Sequence, residues 1–346
     1  MREKVISIAV TVIALAAVSL AQSGDNGVVA DTVPPAPAFQ LFTRAAPPSP
    51  VSQSIAGAGT AMVLDGFGGL VNPALTNAEP RSAGAFAAGF GRDRVFDRFT
   101  LPFAALVADE SGMMGFYYRY LSGSQGFVHD AVINLAGTVA GQVDAQGAVE
   151  FGLNFRYEHS VWRHYAVDSM GNKSLDANGN QLTANLRGRS LLLDIGFYQP
   201  HVAPGLDFSL VITNVTGYVW KDVDGKNNSK GQLDDLYRTL IVGLFYTLPL
   251  GNSLALGIPF DIEMANLFKK SVPDKYIVRA GAELRIVQTY YLRFGYAHAP
   301  DNPLDLVSDF DYRDLFFGGA GVNVRPMRFD FYAGKEEFGI TATYRY

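Results

Sequence analysis

Between about residue 80 and residue 346 the chain falls into fourteen strand-length segments, and their connections switch between tight and long. Within nearly every segment large apolar and polar side chains alternate, and a two-residue period places each set on its own face of a strand. The segment 337–346 shows the pattern. Phe338, Ile340, Ala342, Tyr344 and Tyr346 share one face, while Glu337, Gly339, Thr341, Thr343 and Arg345 share the other. The predicted strands are 81–92, 96–108, 112–121, 129–140, 148–160, 187–199, 206–216, 236–249, 253–266, 275–286, 289–298, 312–324, 327–334 and 337–346.

Antiparallel neighbours put successive connections on opposite sides of a sheet. The even-numbered ones are mostly tight, at Asp109-Glu110-Ser111, His201 to Gly205, Gly251-Asn252, Val287-Gln288 and Arg325-Pro326. The odd-numbered ones include 161–186, 217–235 and 299–311, rich in Asp, Asn, Gly and Lys. An even strand number with short turns on one side and longer loops on the other is how a closed barrel spans a bacterial outer membrane. The predicted fold is therefore all-β, a 14-stranded antiparallel transmembrane β-barrel over residues 80–346, with a plug (hatch) inside the lumen. The N-terminal segment and Tyr346, the expected end of the wall, fall on the short-turn, periplasmic side.

A soluble β-sandwich is the alternative, and the two faces weigh against it. Large apolar residues run along one face of nearly every strand, as in Val149, Phe151, Leu153, Phe155 and Tyr157, in Leu254, Leu256, Ile258, Phe260 and Ile262, and in Tyr290, Leu292, Phe294 and Tyr296. The opposite faces carry Arg119, Glu150, Arg156, Glu158, Asp194, Asp261, Glu263, Arg279, Glu283, Arg285, Arg293, Asp330 and Arg345. A sandwich core cannot desolvate that many charges, whereas a wet or plugged lumen holds them.

The N-terminus gives the chain an export address. Arg2 and Lys4, the apolar run Val5–Val18 and Ser19-Leu20-Ala21 before Gln22 form a cleavable signal peptide, residues 1–21. The apolar run is shorter than the ~18–20 residues a transmembrane helix needs, and no other stretch approaches that length. There is no cysteine, which excludes disulfides, thiolate metal sites and a lipidated cysteine. Removing the signal takes away two cations and one anion, so the net charge moves from −5 to −6. With that mild acidity and no basic run, nucleic-acid binding is not expected. Residues 22–50, with six prolines from Pro34 to Pro50, read as a flexible periplasmic lead-in.

Residues 51–79 are compact, irregular and glycine-punctuated, and they carry Gly57-Ala58-Gly59-Thr60-Ala61-Met62 and then Asn72-Pro73-Ala74-Leu75 before the first strand. A barrel of fourteen strands is too wide for its own side chains to fill, so a plug is needed, and this segment has the composition for one. With these two motifs the chain resembles the FadL-like outer-membrane proteins. It looks most like their PorV/PorQ branch, as do Arg238–Asp261, Val278–Leu284 and Leu292–Tyr296. The resemblance implies a fourteen-stranded barrel with an N-terminal hatch. It also implies passage of hydrophobic small molecules through a lateral opening or, in the PorV branch, a part in type IX protein secretion. The long loops depart from the FadL transporters. Asp168–Gln181 and Lys221–Gln232 are polar where those proteins have an apolar capture groove, which leaves room for the export reading.

Several constellations could carry function. Arg279, Glu283, Arg285 and Arg293 form the densest charge group, and if Ile286 faces Tyr290 across the turn, Glu283 faces Arg293 in a cross-strand ion pair. The bland reading is a structural lattice holding wall to plug, and the sharper one is ligand binding or gating. Pro259, in the ninth strand, is a candidate break in the wall. Trp162 and Trp220, each just past the outer end of a strand, and Tyr346 read as interface aromatics. Asp176, Asn178 and Asn180, and Asp222, Asp224 and Asn227, have calcium-loop spacing, but both sets lack the later acidic ligand and such clusters are ordinary turn chemistry. His159, His164 and His298 with Asp301 and Asp305 could serve a rim hydrolase, yet no nucleophile motif accompanies them. The expected protein is a monomeric barrel and not an enzyme, with no metal and no cofactor. Its expected partners are outer-membrane lipid, a hydrophobic small-molecule ligand or secretion-machinery proteins.

Overall fold

The computed structural model describes residues 50–62, 66–78, 84–93, 98–109, 112–123, 126–140, 148–165, 183–223, 238–267, 275–299, 314–335 and 337–345. The signal peptide, the lead-in up to residue 49, the loop residues Asp168, Asp176, Asn178, Asn180, Asp224, Asn227, Asp301 and Asp305, and Tyr346 lie outside them. Three short helical turns come first, α1 (Pro50–Ser54), α2 (Gly68–Val71) and α3 (Leu75–Ala78). The strands are β1 (Gly84–Asp93), β2 (Arg98–Asp109), β3 (Gly112–Gly123), β4 (Gly126–Ala140), β5 (Val149–Tyr165), β6 (Thr183–Ala203) and β7 (Leu206–Val223). They continue as β8 (Arg238–Pro249), β9 (Leu254–Leu267), β10 (Lys275–Ile286), β11 (Tyr290–His298), β12 (Asp314–Val324), β13 (Met327–Gly334) and β14 (Glu337–Arg345).

Every strand pairs antiparallel with its sequence neighbours, and β1 pairs with β14, with Phe90 opposite Ile340, so the sheet closes into a fourteen-stranded barrel. Closure removes both sheet edges, the arrangement that leaves no ladder group unpaired in hydrocarbon. The alternation read from β14 is realised: Phe338, Ile340 and Tyr344 are exposed, while Thr341 and Thr343 are buried at 1% and 0%. The same outward parity exposes Phe86 and Phe90 on β1, Ile133 and Leu135 on β4, Phe155 and Tyr157 on β5, and Leu292 and Phe294 on β11. The result is a wide apolar belt whose natural contact is lipid. No helix among the described residues is long and apolar enough to cross a membrane.

Three strands run further than their composition suggests. β5, β6 and β7 continue to Tyr165, back to Thr183 and on to Val223, pairing through charged and polar residues such as Arg163 opposite Asn185. Charge ends a strand only where its side chain meets hydrocarbon, and above that layer water solvates it while the backbone ladder continues. Trp162 and Trp220 therefore lie inside β5 and β7, not past the ends of strands as expected. Trp220 stacks on Tyr218 at 6.0 Å.

Candidate functional site

The first helical turns and the loops between them lie inside the barrel, against inward-facing residues of most of its strands. Gly59 and Thr60 donate their backbone N–H groups to one carboxylate oxygen of Asp261 on β9, at 3.0 and 3.1 Å. Ser209 on β7 donates to the Thr60 hydroxyl at 3.0 Å. Asn72 accepts from the N–H of Ala74 at 3.0 Å, a local turn that fixes the Asn-Pro bend. Its amide donates to the carbonyls of Thr60 at 2.9 Å and of Phe197 on β6 at 3.1 Å. Asn134 on β4 donates to the carbonyl of Pro73 at 3.0 Å, and Asn154 on β5 to that of Gly69 at 2.8 Å. Thr76 and Tyr117 share a hydroxyl hydrogen bond of 2.9 Å, Asn77 donates to Glu150, and Gln53 donates to Glu337 at 2.6 Å. These partners satisfy the backbone of an irregular segment that a dry lumen would otherwise leave unpaired.

The wall makes room for this backbone. A Cβ at Gly152 on β5 would overlap the Pro73 carbonyl, and one at Gly295 on β11 would overlap the backbone at Ile55 and Ala56. Gly57 holds φ +82, a conformation that favours glycine, with the Arg279 side chain packed against it. Ala74 and Leu75 pack on Tyr198. The motif residues Gly57, Gly59, Asn72, Pro73, Ala74 and Leu75 are thus all brought against the wall.

The lumen is chemically two-sided. Toward the long-loop ends of β3–β6, Arg119 pairs with Asp130 at 2.7 Å. Arg156 reaches Asp194 at 3.1 Å, Asp130 at 3.6 Å and Glu158 at 3.9 Å. Toward the tight-turn ends of β10–β13, Arg293 bridges Glu283 at 2.7 Å and Asp330 at 2.8 Å. Arg285 and Arg328 close the chain onto Glu283 at 2.5 Å and onto Asp330 at 2.7 Å. Arg293 and Arg328 both lie over the Tyr291 ring, at 5.1 and 4.9 Å. Ile286 stands opposite Tyr290 and Glu283 opposite Arg293, the register counted across the turn from sequence. Arg279 pairs with Glu263 at 2.6 Å. The nine lumen charges named from the sequence therefore face inward, eight of them in three ion-paired groups and Asp261 against the plug backbone. The Glu283–Arg293 network ties wall strand to wall strand, whereas Asp261 ties wall to plug.

The inner face of β1–β4 is different. Ala85, Ala87, Ala104, Leu106, Met113, Tyr117 and Val132 form one buried cluster around Phe67 of the plug. Phe67 is fully buried in it. An aromatic ring from the plug thus occupies an apolar strip on the inner face of β1–β4.

Pro259 interrupts the β9–β10 ladder. Pairs run from Ala280–Phe260 to Glu283–Gly257 with the register unchanged, and on the other side Pro259 stands opposite Phe245 without interruption. Pro102 has the same effect between β1 and β2. The β6–β7 ladder does change register, between Leu193 and Ile195, where Asn214 adopts φ 53 and donates its N–H to Asp194 at 2.8 Å. The rim histidines His159 and His298 do not converge. His159 lies on β5, beside His129, while His298 lies on β11, paired with Asp314 at 2.8 Å. Among the described residues no group of three or more His, Asp or Glu is placed to hold a metal ion.

Sequence reasoning missed the plug anchors Asn134, Asn154 and Tyr117, and the wall carboxylate Asp130. The two asparagines had a readable signal, since each is an uncharged amide at an inward position of a strand whose outward positions are apolar.

No protein-family model matches the chain, and no curated protein matches it in sequence. Solved structures match it in fold. The toluene transporter TodX of P. putida superposes with a TM-score of 0.62 at 9% identity, over 86% of this chain and 98% of that one. The toluene transporter TbuX of Ralstonia pickettii gives 0.55 at 12%, over 86% and 98%. The monoaromatic hydrocarbon channel CymD gives 0.55 at 12%, over 86% and 97%. The chain is therefore similar in fold to these three proteins, over 86% of its own length and nearly the whole length of theirs.

Proposed function

We propose that the protein is an outer-membrane channel that passes small hydrophobic molecules through its plugged lumen. The observation that carries this reading is the apolar strip on β1–β4 with Phe67 seated in it. A charged lumen alone suits water and ions, whereas an apolar strip gives an uncharged solute somewhere to leave water. Phe67 is itself a monoaromatic ring, so the space it vacates when the plug shifts has the size and chemistry for one. The likeness in fold to toluene transporters and a monoaromatic hydrocarbon channel supports the same class of cargo. A lateral exit would lie where the ladders are interrupted or change register, at Pro259, Pro102 or Asn214. Placement in the PorV/PorQ branch, and with it a role in protein export, rests on the sequence blocks and the polar loops alone.

The test is uptake of radiolabelled toluene by lipopolysaccharide-bearing cells with and without the protein. Expression should raise the uptake rate, Phe67→Ala should raise it further, and Phe67→Trp should lower it. Uptake that is the same with and without the protein overturns the proposal.

A further inference from the structure

One row of directly paired residues crosses five strands on the outer surface of the barrel. Tyr120 stands opposite His129, His129 opposite His159, His159 opposite Arg189, and Arg189 opposite Trp220. These positions share the parity of the exposed residues Phe116, Ile133, Phe155, Leu191 and Tyr218 on the same strands, so the row faces outward. Its height follows from strand geometry. His159 lies ten residues along β5 from Val149 at the tight-turn end. At ~3.3 Å per residue and a tilt near 40°, that is about 25 Å, the height of the apolar band of an outer-membrane barrel. The row therefore sits at the level of lipid headgroups on the long-loop side.

Its chemistry changes at that height. The row below it reads Tyr118, Ala131, Tyr157, Leu191 and Tyr218, apart from one hydroxyl bond to His129 a surface for acyl chains. Within the row the two imidazoles stack at 6.2 Å with planes 10° apart, and Tyr120 lies 4.9 Å from His129. The Tyr118 hydroxyl holds Nδ1 of His129 at 2.5 Å, and Phe127 meets both imidazoles edge-on. Arg189 is exposed, and no carboxylate belongs to the row; Asp222 is in register with Arg187, one step further out along the ladder. Across the barrel the outward His298 has its acid built in, since Asp314 is its direct ladder partner. The β3–β7 row is a cationic, donor-rich strip that lacks that internal counter-charge.

We propose that this row binds the phosphate-bearing headgroup of an outer-leaflet lipid, with Arg189, His159 and His129 on the phosphate and the acyl chains lying on Tyr157, Leu191 and Tyr218. Only a lipid brings a phosphate to the rim of an apolar belt and covers the belt as well. Guanidinium and imidazole donors to phosphate are charge-assisted, and removing two of them should weaken binding by about tenfold or more.

The test uses the full-length mature barrel in phosphatidylcholine nanodiscs doped with lipid A, with retained lipid counted by native mass spectrometry. The wild type should retain lipid A. Arg189→Gln with His159→Gln should lose it at least tenfold while keeping the heat-dependent gel shift of a folded barrel, and Arg189→Lys should lose less. Equal retention by the double variant overturns the site. So does equal retention of dephosphorylated lipid A, which would assign the row to ring–lipid contact alone. Displacement by inorganic phosphate at matched concentration would make it a site for free anions and would also overturn it.

Discussion

One oxygen of Asp261 accepts the backbone N–H of Gly59 at 3.0 Å and holds the neighbouring N–H of Thr60 at 3.1 Å. A buried carboxylate on the wall is thereby hydrogen-bonded by the main chain of the plug, across about two hundred residues of sequence. Charge-assisted hydrogen bonds of this kind contribute about 1.5–3 kcal/mol each. Asp261→Ala should release the loop at Gly59–Thr60 and leave the barrel closed. The expected result is a higher frequency of open events in planar-bilayer recordings, with unchanged heat-modifiable migration on gels.

The plug also depends on the absence of side chains in the wall. At Gly152 a methyl group would collide with the Pro73 carbonyl, which is main chain and cannot rotate away, so Gly152→Ala should push the Asn72–Pro73 bend out of place. At Gly318 the nearest atom to an added methyl is the Arg293 carbonyl at 3.7 Å, an ordinary contact, so Gly318→Ala should be silent. Sensitivity of expressing cells to a large antibiotic such as vancomycin reads the difference: it should rise for the first variant only.

The Glu283–Arg293–Asp330 network should behave as a buried lattice. The Arg293 side chain has no exposure and lies between two carboxylates, so Arg293→Met leaves both without their shared cation. Breaking a buried network by removing one member costs about 3–5 kcal/mol. Urea titrations in lipid vesicles, followed by tryptophan fluorescence, should show the midpoint fall for Arg293→Met. They should show a smaller fall for Arg285→Met, whose side chain is 29% exposed.

The outward face distinguishes a membrane barrel from a soluble one. Ile133 is 51% exposed and lies near the middle of the belt. In water Ile133→Arg would be harmless, but toward lipid it should cost about 2–4 kcal/mol near the midplane. The same vesicle titration measures it.

Much of the wall was legible because strand periodicity is local: outward Ile340 and inward Thr341 need only their neighbours to be assigned. The Glu283–Arg293 pair was legible for the same reason, since one tight turn fixes the register of β10 against β11. The ends of β5–β7 were not, because outside the bilayer polar residues such as Asn185 and Lys221 are as compatible with a paired strand as with a loop. The path of the plug was legible only as composition. Its anchors, such as Asn134 to Pro73 or Gln53 to Glu337, join single atoms far apart in sequence, and no periodicity encodes them. The apolar strip was hidden because Ala104, Leu106 and Val132 sit at inward positions on strands whose outward faces are also apolar.

The central claim, that hydrophobic solute passes through this lumen when the plug moves, can be tested with one cross-link. The chain has no cysteine, and the hydroxyls of Thr60 and Ser209 lie 3.0 Å apart, so Thr60→Cys with Ser209→Cys places a disulfide between plug and wall without competing thiols. Toluene uptake by cells carrying this variant should match the wild type under reducing conditions and fall to the level of cells without the protein on oxidation. Equal uptake in the oxidised and reduced states would contradict the account.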